Sequence, residues 1–179
     1  MLEKLPIVGV MGSGEKPWAE WAQPLGAALA TLPVHLLTGG GNGTMTAVSK
    51  AFTEVSPRQG RTIGIIPTEK QADGTYQAKA GYPNPFIEIP IFTPLGTYAG
   101  EGTDFVSRNM VNIMTANAIV ALPGSGGTRN EINIAMKFGK PVCLFGTHDL
   151  PSDIYGQLPH FAVASDVLAW LKPILEQAS

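Results

Sequence analysis

Cysteine is nearly absent from this chain: Cys143 is the single one in 179 residues. No internal disulfide can form, so an apolar core must hold the fold. Cys143 lies in the apolar run 141–145 and reads as inert packing. Such cysteine usage fits a reducing cytoplasm. An excess of either charge is lacking too. The net charge of -2 offers no basic surface, so neither nucleic acid nor a membrane face is an expected partner. Long apolar runs are missing: none approaches the roughly 18 residues that cross a bilayer, and residues 1–10 hold no signal-peptide core. The three histidines, His35, His148 and His160, are not spaced as metal ligands, so no metal site is expected. Ser125 has no visible His-Asp partners, which argues against a hydrolase triad. No repeat, low-complexity tract or linker divides the chain, and its length suits one domain.

Glycine (21) and proline (15) are plentiful, and they fall between apolar runs as punctuation. Residues 6–11, 34–38, 61–66, 118–122 and 142–145 read as buried strands. Residues 86–91 are a fourth strand or an edge piece, since their prolines argue against a central place. Helical spacing marks four stretches between them. Trp18, Trp21, Leu25 and Leu29 follow Pro17, well placed as a first helical residue. Met45, Val48, Ala51 and Phe52 define a second helix. The third runs to Ala116 from a cap at Thr103 or Asp104, with Val106, Met110, Ile113 and Met114 as its apolar face. Its polar stripe is Asp104, Arg108 and Asn112. The fourth, 128–138, ends at Gly139 before Pro141. A last helix starts at Ser165 or Asp166. Pro67 is expected to stop its strand, and 68–85 to be an irregular excursion. The alternation predicts one α/β domain over residues 1–179, Rossmann-like, with a mostly parallel sheet and helices on both faces.

Glycine-rich turns follow three of the strands. Gly12, Ser13 and Gly14 end the first. Gly40, Gly41, Asn42, Gly43, Thr44 and Met45 follow the second. Gly124, Ser125, Gly126, Gly127 and Thr128 end the strand 118–122 and open a helix. Ligands of parallel sheets bind beyond the carboxyl ends of strands. Glycines admit close backbone approach, and the first helical N–H groups have no partner within the helix. These turns are therefore the expected phosphate- or anion-binding residues, with the phosphate at 124–128. Thr128 either caps the helix or gives its hydroxyl to a ligand. No turn has the Gly-Lys-Ser/Thr of a phosphate loop, and none matches the dinucleotide fingerprint in register.

Two charged residues stand where chemistry would need them. Arg108 can fork onto a phosphate or carboxylate. Glu131 falls in the first turn of the helix after Gly124–Thr128. A carboxylate there can order sugar hydroxyls, stabilise an oxocarbenium-like centre or move a proton. His148 and Asp149 lie just past a strand end, where they either line the cleft or form a plain turn.

The run Pro123-Gly-Ser-Gly-Gly-Thr-Arg-Asn-Glu131 resembles the Pro-Gly-Gly-x-Gly-Thr-x-x-Glu signature of the LOG (Lonely Guy) family, long mislabelled as lysine decarboxylases. Gly39–Met45 and Arg61–Pro67 resemble its second turn and following strand, and Arg108 takes the place of its catalytic arginine. The resemblance covers about residues 6–147. It implies a Rossmann-like fold, a homodimer or larger homo-oligomer, and cleavage of nucleoside 5′-monophosphates to base and ribose 5-phosphate by Arg108 and Glu131. No cofactor is implied for that hydrolysis. Two departures stand out: the family's Met-His-x-Arg-Lys is here Phe105-Val-Ser-Arg-Asn109, and Ser125 replaces a glycine. A sister group, the molybdenum cofactor carriers, is resembled at Val8–Gly14, Leu36–Gly40 and Ile89–Gly96. That likeness implies molybdopterin, whose phosphate the same turns would hold without catalysis. The expected ligand is thus an AMP-like nucleotide or molybdopterin.

Overall fold

Apolar runs of four or five residues, closed by glycine or proline, form the central strands. A computed structural model describes residues 4–96 and 106–178. In chain order its elements are β1 (Ile7–Met11), α1 (Ala19–Leu29), β2 (His35–Thr38), α2 (Thr44–Thr53), β3 (Thr62–Lys70), β4 (Tyr76–Ala78) and β5 (Ile89–Thr93). Then follow α3 (Arg108–Thr115), β6 (Ala118–Ala121), α4 (Gly126–Lys137), β7 (Val142–Phe145), α5 (Ser152–Tyr155), β8 (His160–Phe161) and α6 (Ala164–Glu176). The strands make one sheet in the order β4-β3-β2-β1-β6-β7-β8, with β5 also paired to β3. Every pairing is parallel except β3 with β4. This is the expected Rossmann-like α/β architecture.

Strands buried on both faces carry apolar residues without alternation, and β6 and β7 are buried throughout. On one face α1, α2 and α6 bring Leu25, Phe52 and Leu171 onto Val8, Val120 and Phe145. On the other, α3 and α4 bring Ile113 and Ala135 onto Met11, Leu37 and Ile119. Burying one such aliphatic or aromatic side chain is worth about 1.5–3 kcal/mol. Among the described residues no helix is long and apolar enough to cross a membrane.

Several boundaries differ from the expectation, each for a physical reason. Pro67 does not stop β3. The pairing of β3 with β2 ends at Gly64, so Pro67 forfeits no hydrogen bond there, and the strand runs on to Lys70. Its extension pairs with β4, so the stretch 68–85 contains a hairpin rather than an irregular excursion alone. The strand foreseen at 86–91 lies at 89–93, at an edge beside β3. Helix α1 begins after Trp18 rather than at Pro17, α4 begins at Gly126, and α6 is preceded by Val163 rather than capped by Ser165 or Asp166. Thr128 is therefore a first-turn residue and not a cap. Helix α3 starts at Arg108 behind Ser107, whose hydroxyl accepts from the Met110 N–H; the foreseen caps Thr103 and Asp104 lie outside the described residues. The face of α3 is also reversed. Val106 and Met114 are exposed, whereas Arg108, Asn109 and Asn112 are buried beside Ile113.

Candidate functional site

The strand order fixes where a ligand can sit. From β1 the chain moves outward through β2 to β3, and from β6 it moves the opposite way to β7 and β8. The reversal falls between β1 and β6, and the crevice beyond their carboxyl ends is the expected ligand place in such sheets. The turns after both strands meet there: Ser13 N–H donates to the Pro123 carbonyl at 3.2 Å. The turn after β2 is locked to the first as well. Thr44 N–H donates to Ser13 O at 2.9 Å, and Gly43 has φ +62° with no room for a Cβ against that carbonyl.

Helix α4 opens at this crevice. Its first backbone bond runs from Arg129 N–H to the Ser125 carbonyl at 3.0 Å, so the N–H groups of Gly126, Gly127 and Thr128 precede the intrahelical ladder. A side chain at Gly124 would overlap the Thr128 hydroxyl, which is why the turn can close so tightly. Unpaired N–H groups and the positive helix end favour an anion.

Beside this helix end lies a cavity of about 210 Å³. Arg108, Asn109, Asn112, Thr128 and Glu131 are its buried polar side chains, all less than a tenth exposed. Asn112 Nδ2 donates to Glu131 Oε1 at 3.1 Å. Burial pushes the Glu131 carboxyl up to about 7, against the Asn112 hydrogen bond and the Arg108 charge, which both hold it down. Arg108 is anchored by donating Nη1 to the carbonyls of Gly39 (3.0 Å) and Ile65 (3.2 Å), at the ends of β2 and within β3. Its guanidinium lies 5.7 Å from the centre of the Tyr82 ring. Arg108 Nε and Asn112 Oδ1 are buried without a hydrogen-bond partner. Such groups each cost about 1–3 kcal/mol when left unmade.

A wider cleft of about 530 Å³ adjoins it, and Gly14 and Ser125 belong to both. Lys16, Trp18 and His148 line it. Trp18 has φ +44°, a left-handed conformation rare for a bulky residue, and Lys16 Nζ lies 5.2 Å from its ring centre. His148 Nε2 donates to the carbonyls of Ala121 (3.0 Å) and Phe145 (3.2 Å), and burial pushes its pKa down.

The foreseen site residues divide accordingly. Gly12, Gly14, Met45 and Gly127 line the narrow cavity with Arg108, Thr128, Glu131 and Ser125. Ser13 and Gly124 line the wider cleft. Gly40, Gly41, Asn42, Gly43, Thr44 and Gly126 line neither. Gly41 is covered by Tyr82, and Thr44 spends its hydroxyl on the Lys16 carbonyl at 3.1 Å. Of the two alternatives for His148 and Asp149, both residues line the cleft. Sequence reasoning missed Asn112 as a site residue, although its spacing of four from Arg108 places both on one helix face. Lys16, Trp18 and Tyr82 were missed too, and nothing in their local pattern marks them. Among the described residues no cluster of three or more His, Cys, Asp or Glu is placed to hold a metal ion.

Fold and site define a class: a doubly wound α/β domain with an anion-type turn at its switch point. The chain belongs to the SLOG cluster4 family, whose model matches residues 5–167. It is similar to the molybdenum cofactor binding protein of the phototrophic bacterium Rippkaea orientalis, with 27% identity over 96% of this chain and 98% of that one, at a TM-score of 0.72. It is also similar to the Moco carrier protein of Chlamydomonas reinhardtii, with 28% identity over 97% and 99% of the two chains, at a TM-score of 0.73. A protein of Archaeoglobus fulgidus is 29% identical over 141 residues, 78% of this chain and 79% of its own. These findings agree with the expected membership of a LOG-like family that includes cofactor carriers.

Proposed function

We propose that this protein binds the molybdenum cofactor and carries it unchanged. The observation that carries the reading is the end-to-end likeness to two proteins described as binding or carrying that cofactor. The residues present fit such a cargo. A terminal phosphate suits the N–H groups of Gly126, Gly127 and Thr128 at the α4 dipole. The unpartnered Arg108 Nε and Asn112 Oδ1 offer a donor and an acceptor to a polar ring. Arg108 already holds two carbonyls, which supports a positioning role rather than a mobile catalytic one. The test is retention. Purified protein mixed with molybdenum cofactor released from a molybdoenzyme should keep it through gel filtration and pass it to a cofactor-free molybdoenzyme. Failure to retain the cofactor would overturn the reading.

A second reading rests on the shared lining of the narrow cavity by Arg108 and Glu131. In a nucleoside 5′-monophosphate N-glycosidase, an ionised Glu131 would stabilise the positive ribose of the transition state more than the ground state. Under that reading Glu131→Gln keeps nucleotide binding and lowers base release by about 10²-fold or more. Under the carrier reading, wild-type protein releases no base from the common 5′-monophosphates. Chromatography of free base, wild type against Glu131→Gln, separates the two.

A further inference from the structure

Glu131 is a carboxyl with only one oxygen engaged. Asn112 Nδ2 donates to Oε1, and among the described residues nothing donates to Oε2. Unlike Asn112 Oδ1, Oε2 is not sealed from the cavity. No cation stands within ion-pair distance either, since among the described residues the ion pairs belong to Glu54, Glu69 and Glu88. Arg108, the charge on α3 that shares the cavity, spends Nη1 on two backbone carbonyls. Tyr82, from the β4–β5 connection, is the other ionisable side chain of the lining; β1, β2, their turns and α2 bring none. Arg129 on α4 is exposed, and Glu15, Lys16, His148 and Asp149 line the adjoining cleft instead. The same narrow cavity is lined by Gly127 and Thr128, whose N–H groups precede the α4 ladder. Glu131 stands four residues after Gly127 and three after Thr128, which puts it one turn along the same helix face, about 6 Å away. A space of about 210 Å³ thus holds an anion cradle and a carboxyl side by side. An anion in that cradle and an ionised Glu131 repel. At about 6 Å and an effective dielectric of ~20, two unit charges change an equilibrium by about 100-fold. A neutral Glu131 removes the repulsion, and its Oε2–H becomes a donor for the anion.

We propose that this protein takes up one proton, at Glu131 Oε2, with each phosphorylated ligand that it binds, and that loss of this proton loosens the ligand. The proton comes from solvent, and the phosphate stays intact. Burial already favours the neutral acid, so little is needed to place the proton near neutral pH. The sign follows from linkage. An anion beside Glu131 raises its affinity for the proton further, so the bound state holds more protons than the free one. Below about pH 7 the free site is already neutral, and this group leaves the affinity flat. Above that the ligand must bring a proton with it, and affinity falls by up to about tenfold per pH unit. A site that gains and loses a proton with its cargo can hold and pass on that cargo without changing it. In the N-glycosidase reading, by contrast, Glu131 stays ionised while the nucleotide is bound. The inference rests on the reading that a phosphorylated ligand sits at the α4 turn, and it adds the regulation of that site. It holds for a nucleotide as for a pterin, since both present the same phosphate.

The experiment counts protons. Wild-type protein is titrated by calorimetry at pH 8 with AMP and with 6-hydroxymethylpterin phosphate, each in two buffers of different ionisation enthalpy. The phosphate of either probe, with a second pKa of about 6, is already doubly ionised there, so uptake reports the protein. Whichever probe binds should bring more than about half a proton per molecule bound, and its affinity should fall about tenfold or more from pH 7 to pH 9. In Glu131→Gln the uptake should vanish and the fall should shrink below about threefold. Tyr82→Phe, which removes the other ionisable group of the lining, should keep both the uptake and the fall. Infrared difference spectra at pH 8 should show a neutral carboxyl band appearing with ligand in wild type and not in Glu131→Gln. No proton uptake at pH 8, no fall in affinity between pH 7 and pH 9, a fall that survives Glu131→Gln, or no binding of either probe would overturn the proposal. The wild-type proton count needs no variant to fold. Failure to retain intact molybdenum cofactor would overturn the carrier reading alone, and the proton count with AMP would stand.

Discussion

Glu131 is the buried carboxyl of the narrow cavity. Its carboxyl is buried and titrates near 7, well above the 4.5 of an unfolded glutamate. The native state thus holds a proton more tightly than the unfolded chain across that interval. Stability contributed by the neutral acid is full below pH 4.5 and falls as pH rises to about 7. Glu131→Gln removes the titration. The variant should gain on wild type between pH 5 and pH 8 by about 2–3 kcal/mol, of the order of 1.4 kcal/mol per pH unit. Urea unfolding of both proteins at the two pH values measures it; a stability difference that does not change with pH would contradict the assigned environment. At Gly127 the expectation is about binding. Gly127→Asp puts a carboxylate where the α4 N–H groups face the cavity, and Thr128→Ala removes a hydroxyl beside them. Each lost hydrogen bond to a charged ligand is worth about 1.5–3 kcal/mol. Calorimetry on the folded Gly127→Asp protein should show phosphate-ligand affinity lowered at least tenfold, and unchanged affinity would remove the phosphate from this turn.

At the scale of the element, α3 is the instructive one. Its apolar residues suggest an inward face of Val106, Met110, Ile113 and Met114, yet Arg108, Asn109 and Asn112 turn inward and Met114 stays out. Periodicity assigns the apolar face to the core, but here the helix borders a polar cavity and its polar stripe follows that cavity. The stripe itself, Arg108 and Asn112 at spacing four, was legible; its direction was not, because α4 and the β2–β3 carbonyls that decide it are distant in sequence. The helix start was illegible for a local reason, since Ser107 competes with several capping residues nearby. Ser107→Ala should cost about 1 kcal/mol through the lost Met110 N–H bond. Because α3 carries Arg108 and Asn112, the same change should weaken ligand binding more than its stability cost alone accounts for. Thermal unfolding with and without ligand separates the two effects. The β3–β5 edge is tied by Glu88, which accepts from Arg58, Arg61 and Thr62. Burial pushes Glu88 up, but those hydrogen bonds outweigh it and hold the carboxyl down to about 2. Its stabilisation is present above pH 4.5 and lost as pH falls toward 2. Glu88→Gln should therefore destabilise the protein at pH 7 and converge on wild type near pH 2.

For the whole molecule, strand alternation and three glycine-rich turns made the sheet, its two helical layers and the edge where those turns gather legible without coordinates. What was hidden lies in contacts between distant segments. Tyr82 reaches the site from the β4–β5 connection, Lys16 and Trp18 reach it from the turn before α1, and β3 outruns Pro67 because β2 has already ended. No local pattern reports such meetings. The two cavities sharing Gly14 and Ser125 follow from the switch point between β1 and β6, and they adjoin along one edge of the sheet. The central claim is that this edge holds a phosphorylated pterin cofactor and leaves it intact. The most direct measurement is mass spectrometry of the small molecule released on denaturing protein purified from a host that makes the molybdenum cofactor. The account predicts a phosphorylated pterin in wild type and its loss in Gly127→Asp. A nucleoside monophosphate or ribose 5-phosphate in its place would contradict it.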